Sequence, residues 1–287
     1  MEKAILQTLI YADIFDYPLK AWEIHKWLIG SKCDLPDVEK GLKRLLVKKR
    51  IIERYGYFIL PGKSKNIRKR IDKERTSQEH MHSARWIVRL FKLVPWIQLV
   101  GISGNLAMDN ADEYDDIDLF VITQKKRLWI SRLSILFILS LLEKRRRRSD
   151  SRKSAAGKFC LNLLLEEDQL EQTRKDLYIA HEVLQMRPIW ERNNIYSIFL
   201  NQNSWAFDYL SNWLTGFQGY SGTKKKNSSG FKLTDLIETV VSFLQLRYMG
   251  VPKSAERVSA MAVYFHPDDM QPKVLSEYAK RIKKYIK

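Results

Sequence analysis

The chain has 287 residues, of which 50 are Lys or Arg and 33 are Asp or Glu, giving a formal charge of +17; 45% are hydrophobic. That apolar content excludes wholesale disorder, and the length suits one large domain or two to three small ones around a real core. Two cysteines, Cys33 and Cys160, exclude a disulfide framework and offer no paired zinc-ligand spacing, so a reducing cytoplasm is the expected setting. No export signal is expected, because Met1 to Ile14 carries Glu2, Lys3, Gln7 and Asp13 where an unbroken apolar run is needed. The most apolar stretch, Leu128–Leu142, is interrupted by Arg132 and falls short of the roughly 20 residues that cross a bilayer, so no membrane partner is expected. The excess charge points instead to polyanions, nucleic acid and nucleotides among them.

In chain order, Ala4, Ile5, Leu9 and Ile10 recur at helical spacing, and Asp16-Tyr17-Pro18 ends that helix. A second helix is expected over Leu19–Ile29, a polar break at Ser31–Asp34, and a third helix over Leu35–Val47, apolar at Val38, Leu42, Leu45 and Leu46. Residues Ile51 to Leu60 read as two short strands turning near Gly56. Three helices and a hairpin resemble a winged helix-turn-helix over residues 1–62. That resemblance makes Leu35–Val47 the recognition helix and, with Lys48, Lys49, Arg50 and Arg54, a surface for phosphates; such units also serve as protein-binding modules.

Residues 63–94 are expected to form a basic connecting helix, closed by Pro95. A core over residues 95–170 then alternates strand and helix: strands at Trp96–Ile102, Ile117–Thr123 and Lys158–Leu165, with the apolar helix Leu128–Leu142 before the third. Residues 171–287 read as a helical region, with helices at Leu177–Met186 and Ile195–Leu210, an apolar stripe from Leu233 to Tyr248, and a basic helix from Pro272 to Lys287. A mobile Gly/Ser/Lys loop is expected over Gly216–Gly230, with Lys224-Lys225-Lys226 keeping it wet. Trp190, Trp205 and Trp213 fit helical packing; His25 and His181 fit packed or exposed positions, and His80 and His82 make no metal pair.

The chemistry is concentrated between residues 100 and 123. There Ser103-Gly104-Asn105 follows a strand, and Asp115-Asp116-Ile117-Asp118-Leu119-Phe120-Val121-Ile122 opens the next one. Strand alternation puts Asp116 and Asp118 on one face, about 6–7 Å apart, while Ile117 and Leu119 enter the core. Two carboxylates so placed repel and desolvate each other, and a divalent cation relieves the repulsion. A carboxylate inside the apolar run 117–122 is otherwise expensive to bury. Gly104 lets backbone come close to a phosphate, and Asn105 offers an amide to hold one.

This stretch resembles the signature of the DNA polymerase beta-type nucleotidyltransferase superfamily: a hydrophobic residue, Gly, Gly or Ser, a short spacer, then Asp-hydrophobic-Asp/Glu-hydrophobic. Gly104 and Asn105 fill the first part and Asp116-Ile117-Asp118-Leu119 the second, over about 25 residues. The resemblance implies an α+β fold in which a small mixed-sheet core is flanked by the winged-helix-like unit and the helical C-terminal region. It implies transfer of a nucleoside monophosphate from a nucleoside triphosphate such as ATP to a hydroxyl on a protein, an RNA end or a small molecule. Asp116 and Asp118 would ligate Mg²⁺ or Mn²⁺, and Ser103, Gly104 and Asn105 would hold the triphosphate. Asn105 departs from the usual Ser or Gly. The third carboxylate expected on the following strand is also missing: the site-facing register carries Asn162, and Glu166 on that same face is the substitute. The alternative is a non-catalytic, nucleotide-sensing or DNA-binding regulator. The run Lys144-Arg145-Arg146-Arg147-Arg148, with Arg152, Lys153 and Lys158, either grips phosphates beside the site or is a solvated helix end.

Overall fold

A computed structural model of the protein describes residues 1–147, 149–214, 233–249, 257–258, 262–264 and 270–286. The expected Gly216–Gly230 loop, its three lysines and Arg148 lie outside the described residues.

The chain begins with α1 (Glu2–Asp13), β1 (Leu19–Lys20), α2 (Ala21–Lys26), α3 (Leu35–Val47), β2 (Ile52–Arg54) and β3 (Tyr57–Ile59). Leu19 and Lys20 are not helical, as the apolar pattern suggests, but pair with Phe58 and Tyr57 and complete a three-stranded antiparallel sheet in the order β1-β3-β2. The Glu23 carboxylate accepts the Lys20 backbone N–H at 2.8 Å, which starts α2 two residues later. Ile5, Leu9, Ile10, Ile24, Leu42 and Leu45 are buried together as this unit's core.

The 27-residue α4 (Lys65–Phe91) leads into β4 (Ile97–Ile102), α5 (Gly104–Ala107), β5 (Ile117–Thr123), α6 (Leu128–Leu141), α7 (Arg152–Ala155) and β6 (Phe159–Glu166). Then come α8 (Leu177–Gln185), β7 (Arg187–Glu191), α9 (Ile195–Gln202), α10 (Ala206–Tyr209), α11 (Leu233–Met249), β8 (Arg257–Val258), β9 (Ala262–Tyr264) and α12 (Met270–Tyr285). The protein is thus α+β, with a mixed six-stranded sheet in the order β7-β4-β5-β6-β9-β8, in which β5 and β6 are parallel and the other neighbours antiparallel.

This sheet draws three strands from beyond residue 170, where only helices were expected. The segment of β7 contains Pro188, which hides it from a strand pattern; Pro is tolerated because β7 is an edge strand. Trp190 accordingly sits in a strand, beneath the Arg192 guanidinium, rather than in a helix. The helix expected over Ile195–Leu210 is broken at Asn203. Its buried amide donates to Leu170 O (2.8 Å) and Phe199 O (2.9 Å) and accepts from Gln172 N (2.8 Å), competing with the helical ladder.

Period-2 alternation gives the sheet two apolar faces. Ile117, Leu119, Val121, Phe159 and Leu164 pack on α4 and α6, with Phe91 and Trp129 fully buried there. Phe120, Ile122 and Leu165 pack on α8, α9 and α10, where Tyr11 and Trp27 of the N-terminal unit join them. The C-terminal α12 lays Tyr278, Ile282 and Tyr285 against the N-terminal unit. None of the helices among the described residues is long and apolar enough to cross a membrane.

Candidate functional site

Asp118 lies on β5 between the buried Ile117 and Leu119, and its own side chain turns to the opposite face, as alternation requires. The preceding strand β4 ends at Ile102, and the Ser103 N–H donates to the Asp118 backbone carbonyl at 3.0 Å, holding the β4–α5 turn beside β5. Gly104, at φ +63°, brings its backbone against the Asp118 carboxylate: a Cβ there would lie 2.7 Å from Oδ2. Only glycine satisfies both that approach and that dihedral without strain. Gly104, Asp116 and Asp118 are therefore brought together.

The remaining expected site residues are placed differently. Ser103 is buried, and its hydroxyl accepts from Asn162 Nδ2 at 3.1 Å, so Asn162 braces the turn. Asn105 donates through Nδ2 to Asp115 Oδ2 at 2.9 Å and lines the cleft beside Gly104.

Glu166 does not join the aspartates. In the β5–β6 pairing Leu119 faces Leu161 but Phe120 faces Leu163, so Asn162 is an extra residue in a bulge. The bulge inverts the alternation that puts Asn162 and Glu166 on one face. Leu163 and Leu165 join Phe120 on the aspartate side, and Glu166 points the other way. It also stands opposite Thr123, five residues and about 16 Å along the strand from Asp118. There burial raises its carboxyl to about 7, against the backbone amides of Lys126 and Leu128 at the start of α6, which favour the charged form. Glu238 of α11 accepts the Trp129 and Ile130 N–H groups at 2.7 and 2.9 Å, so two carboxylates meet that helix start.

Cys160 takes the register position opposite Asp118. One potential ligand atom from each of Asp116, Asp118 and Cys160 lies within 4.8 Å of the others, an arrangement able to hold a metal ion. Burial, then the Asp116 charge, pushes the Asp118 carboxyl well above the usual carboxylate range. Burial and the two aspartates push the Cys160 thiol up to about 12, so it is a protonated thiol, neither a nucleophile nor a ligand for a hard cation.

Arg146 reaches the same corner, pairing with Asp116 Oδ2 at 2.7 Å. The run does not continue α6: Arg146 N donates to Phe159 O and Phe159 N to Lys144 O, so Lys144 to Arg146 lies beside the start of β6. Arg152 stands within 3.8 Å of Asp112 and Asp115, so it too belongs to the acidic loop.

Asp118 lines a cleft of about 330 Å³ between the core, α8 and the N-terminal unit. From α8, Tyr178, His181, Glu182 and Gln185 line it; from the N-terminal unit come Tyr11, Tyr17 and Trp27. His181 is buried and stacked on Tyr11, with centroids 4.2 Å apart and planes at 9°, and its Nε2 has no hydrogen-bond partner. Burial lowers it to about 3, so it is a neutral imidazole. Burial raises Glu182 to about 7; Gln185 Nε2 donates to its Oε1 at 2.5 Å. Sequence reasoning missed this wall of α8. Its signal was the spacing 178, 181, 182, 185, a single helical face that reads equally well as solvent-exposed.

No protein-family model matches the chain, and neither does any of the curated proteins searched.

Proposed function

We propose that the protein is a metal-dependent nucleotidyltransferase of the polymerase-beta type, carrying an N-terminal unit that resembles a winged helix. The observation that carries the reading is the Gly104 backbone set against the Asp118 carboxylate, which lines the cleft, with Asp116 beside it. The two carboxylates suit a hard divalent cation, which would offset the burial and the Asp116 charge that raise the Asp118 carboxyl. Bound to Asp116 and Asp118, Mg²⁺ or Mn²⁺ would neutralise triphosphate charge and polarise the α-phosphate.

The chain's own groups supply the rest. Gly104 and Asn105 border the triphosphate, with Ser103 buried behind them in the turn, and Arg146 has a guanidinium able to leave Asp116 for a phosphate oxygen. The acceptor oxygen bonds to the α-phosphorus, the bond to the bridging oxygen breaks, and pyrophosphate leaves. The acceptor's proton passes to Glu182, the second carboxylate lining the cleft, whose position near neutrality suits a general base.

The test is thermal stabilisation by each nucleoside triphosphate with Mg²⁺ and with EDTA. Saturating ligand at about a hundred times Kd is worth about 2.7 kcal/mol. Asp118→Asn is expected to keep the fold, because the buried carboxyl is already driven toward its neutral form, and to lose the metal-dependent stabilisation. Unchanged stabilisation in that variant sinks the site assignment.

A second reading, a non-catalytic nucleotide-sensing or DNA-binding regulator, is favoured by two details. Arg146 already compensates Asp116, and Glu166, the expected substitute for the third acid, faces away from the aspartates, leaving a thiol opposite Asp118. Its DNA-binding variant is weakened by the surface of α3, where Arg44 and Lys48 are turned to Glu2 at 3.1 and 2.7 Å. Absence of stabilisation by any triphosphate favours this regulator.

A further inference from the structure

The cleft beside Asp118 is built against the charge of the molecule. The chain carries +17, yet among the described residues no Lys or Arg lines the cleft, whereas Asp118 and Glu182 both do. Beyond the metal that would carry a triphosphate at Asp118, a nucleic-acid chain entering there meets Glu182, not counter-charges, and loses the electrostatic gain on which its binding depends. At about 330 Å³ the cleft sits at the small end of the roughly 300–1,000 Å³ range of small-molecule sites.

Its walls are specific as well as acidic. Tyr11 and Trp27 both stack on the His181 ring, with centroids 4.2 and 5.3 Å away, and Tyr178 adds another aromatic wall. Aromatic faces favour flat groups and cations over anions. His181 is 7% exposed, and its Nε2 is left without a partner at the cleft wall, a desolvated group whose cost a ligand hydrogen bond would remove. This orphaned nitrogen is independent of the carboxylates and belongs to a residue that lines the same space.

We propose that this cleft is the acceptor site, and that it takes a small neutral or cationic compound with a hydroxyl and a flat or apolar face, held by Glu182 and His181, not a nucleic-acid end. The word acceptor rests on the nucleotidyltransferase reading; the ligand class rests on the lining alone.

The test uses the full chain at pH 8 and three probes that share a phenol ring and differ in terminal charge: tyramine, tyrosol and 4-hydroxyphenylacetate. Binding is followed by calorimetry and by amide chemical shifts. Tyramine is expected to bind at least about tenfold more tightly than 4-hydroxyphenylacetate, with tyrosol between them, because the Glu182 carboxylate faces the site. Glu182→Gln, nearly isosteric, should compress that ratio to about threefold or less, and His181→Phe should weaken all three. The wild-type order needs no variant. Equal or tighter binding of the anion, stronger binding of a short uridine oligonucleotide at the cleft, or no binding of any probe at millimolar concentration overturns the proposal. Mg·ATP is titrated in the same series. If the charge order holds and no nucleotide binds, the nucleotidyltransferase reading falls and the cleft remains a site for this ligand class. If nucleotide binds and the order fails, the cleft proposal alone falls.

Discussion

Asn162 is one residue too many for the β5–β6 ladder, and the consequences reach the site in two directions. Its amide is tied to Ser103, steadying the turn that presents Gly104 to Asp118. Past it, every side chain of β6 changes face, which turns Glu166 away from the aspartates and toward the start of α6. A carboxyl raised from 4.5 to about 7 makes a definite contribution to stability against pH. The folded state holds the proton more tightly, so the neutral form's stability is fully present below the unfolded value near 4.5. It is lost as pH rises through about 7, at an order-of-magnitude cost of about 3 kcal/mol. Glu166→Gln should therefore match wild type near pH 5, exceed it in stability near pH 8, and leave nucleotide binding intact. Urea melts at the two pH values check this; a difference between the proteins that does not change with pH sinks it.

Among elements, α8 and the break between α9 and α10 do most to shape the cleft. Residues 178, 181, 182 and 185 share the face of α8 that lines it, and α10 packs on α8 across the break. Asn203 holds that break by serving three backbone groups from a fully buried position. Asn203→Ala deprives them of this partner and is expected to cost about 3 kcal/mol. The loss would appear as a lower denaturant midpoint, together with faster amide exchange at Gln172. A variant as stable as wild type would mean that water or a resumed helix replaces the side chain.

At the scale of the whole molecule, the N-terminal unit is fastened to the core through Arg70 of α4. Its guanidinium, 2% exposed, pairs with Glu23 and Glu74 at 3.1 Å each, lies 4.0 Å from the Tyr17 ring centroid, and donates to Met108 O at 3.3 Å. Tyr17 Oη donates to the same carbonyl at 2.6 Å. One cation thus joins α2, α4 and the segment that follows α5, which places the aromatic wall of the cleft against the aspartate face. Arg70→Met strands the buried Glu23 charge and is expected to cost about 3–5 kcal/mol. Adding Glu23→Gln should restore part of that loss, as the double-mutant cycle would record. Additive effects would mean that the pair is not the fastening.

The sequence by itself carried the local part of this protein. The 3.6 and 2.0 periodicities located α1, α3, α4, α6, α8 and strands β4 to β6 to within a few residues, and strand alternation placed Asp116 and Asp118 on one face. These follow from nearest-neighbour geometry, which a linear pattern records. The edge strand β7 was hidden by Pro188, and β1 by the helical look of the residues after Pro18. The neighbours of the aspartates were decided only by the tertiary structure. A one-residue bulge excluded Glu166, a segment beside β6 carried Arg146 across 30 positions to Asp116, and packing of the N-terminal unit set Tyr11 beside His181. Each depends on register or docking between segments far apart in the chain, for which a linear pattern holds no signal.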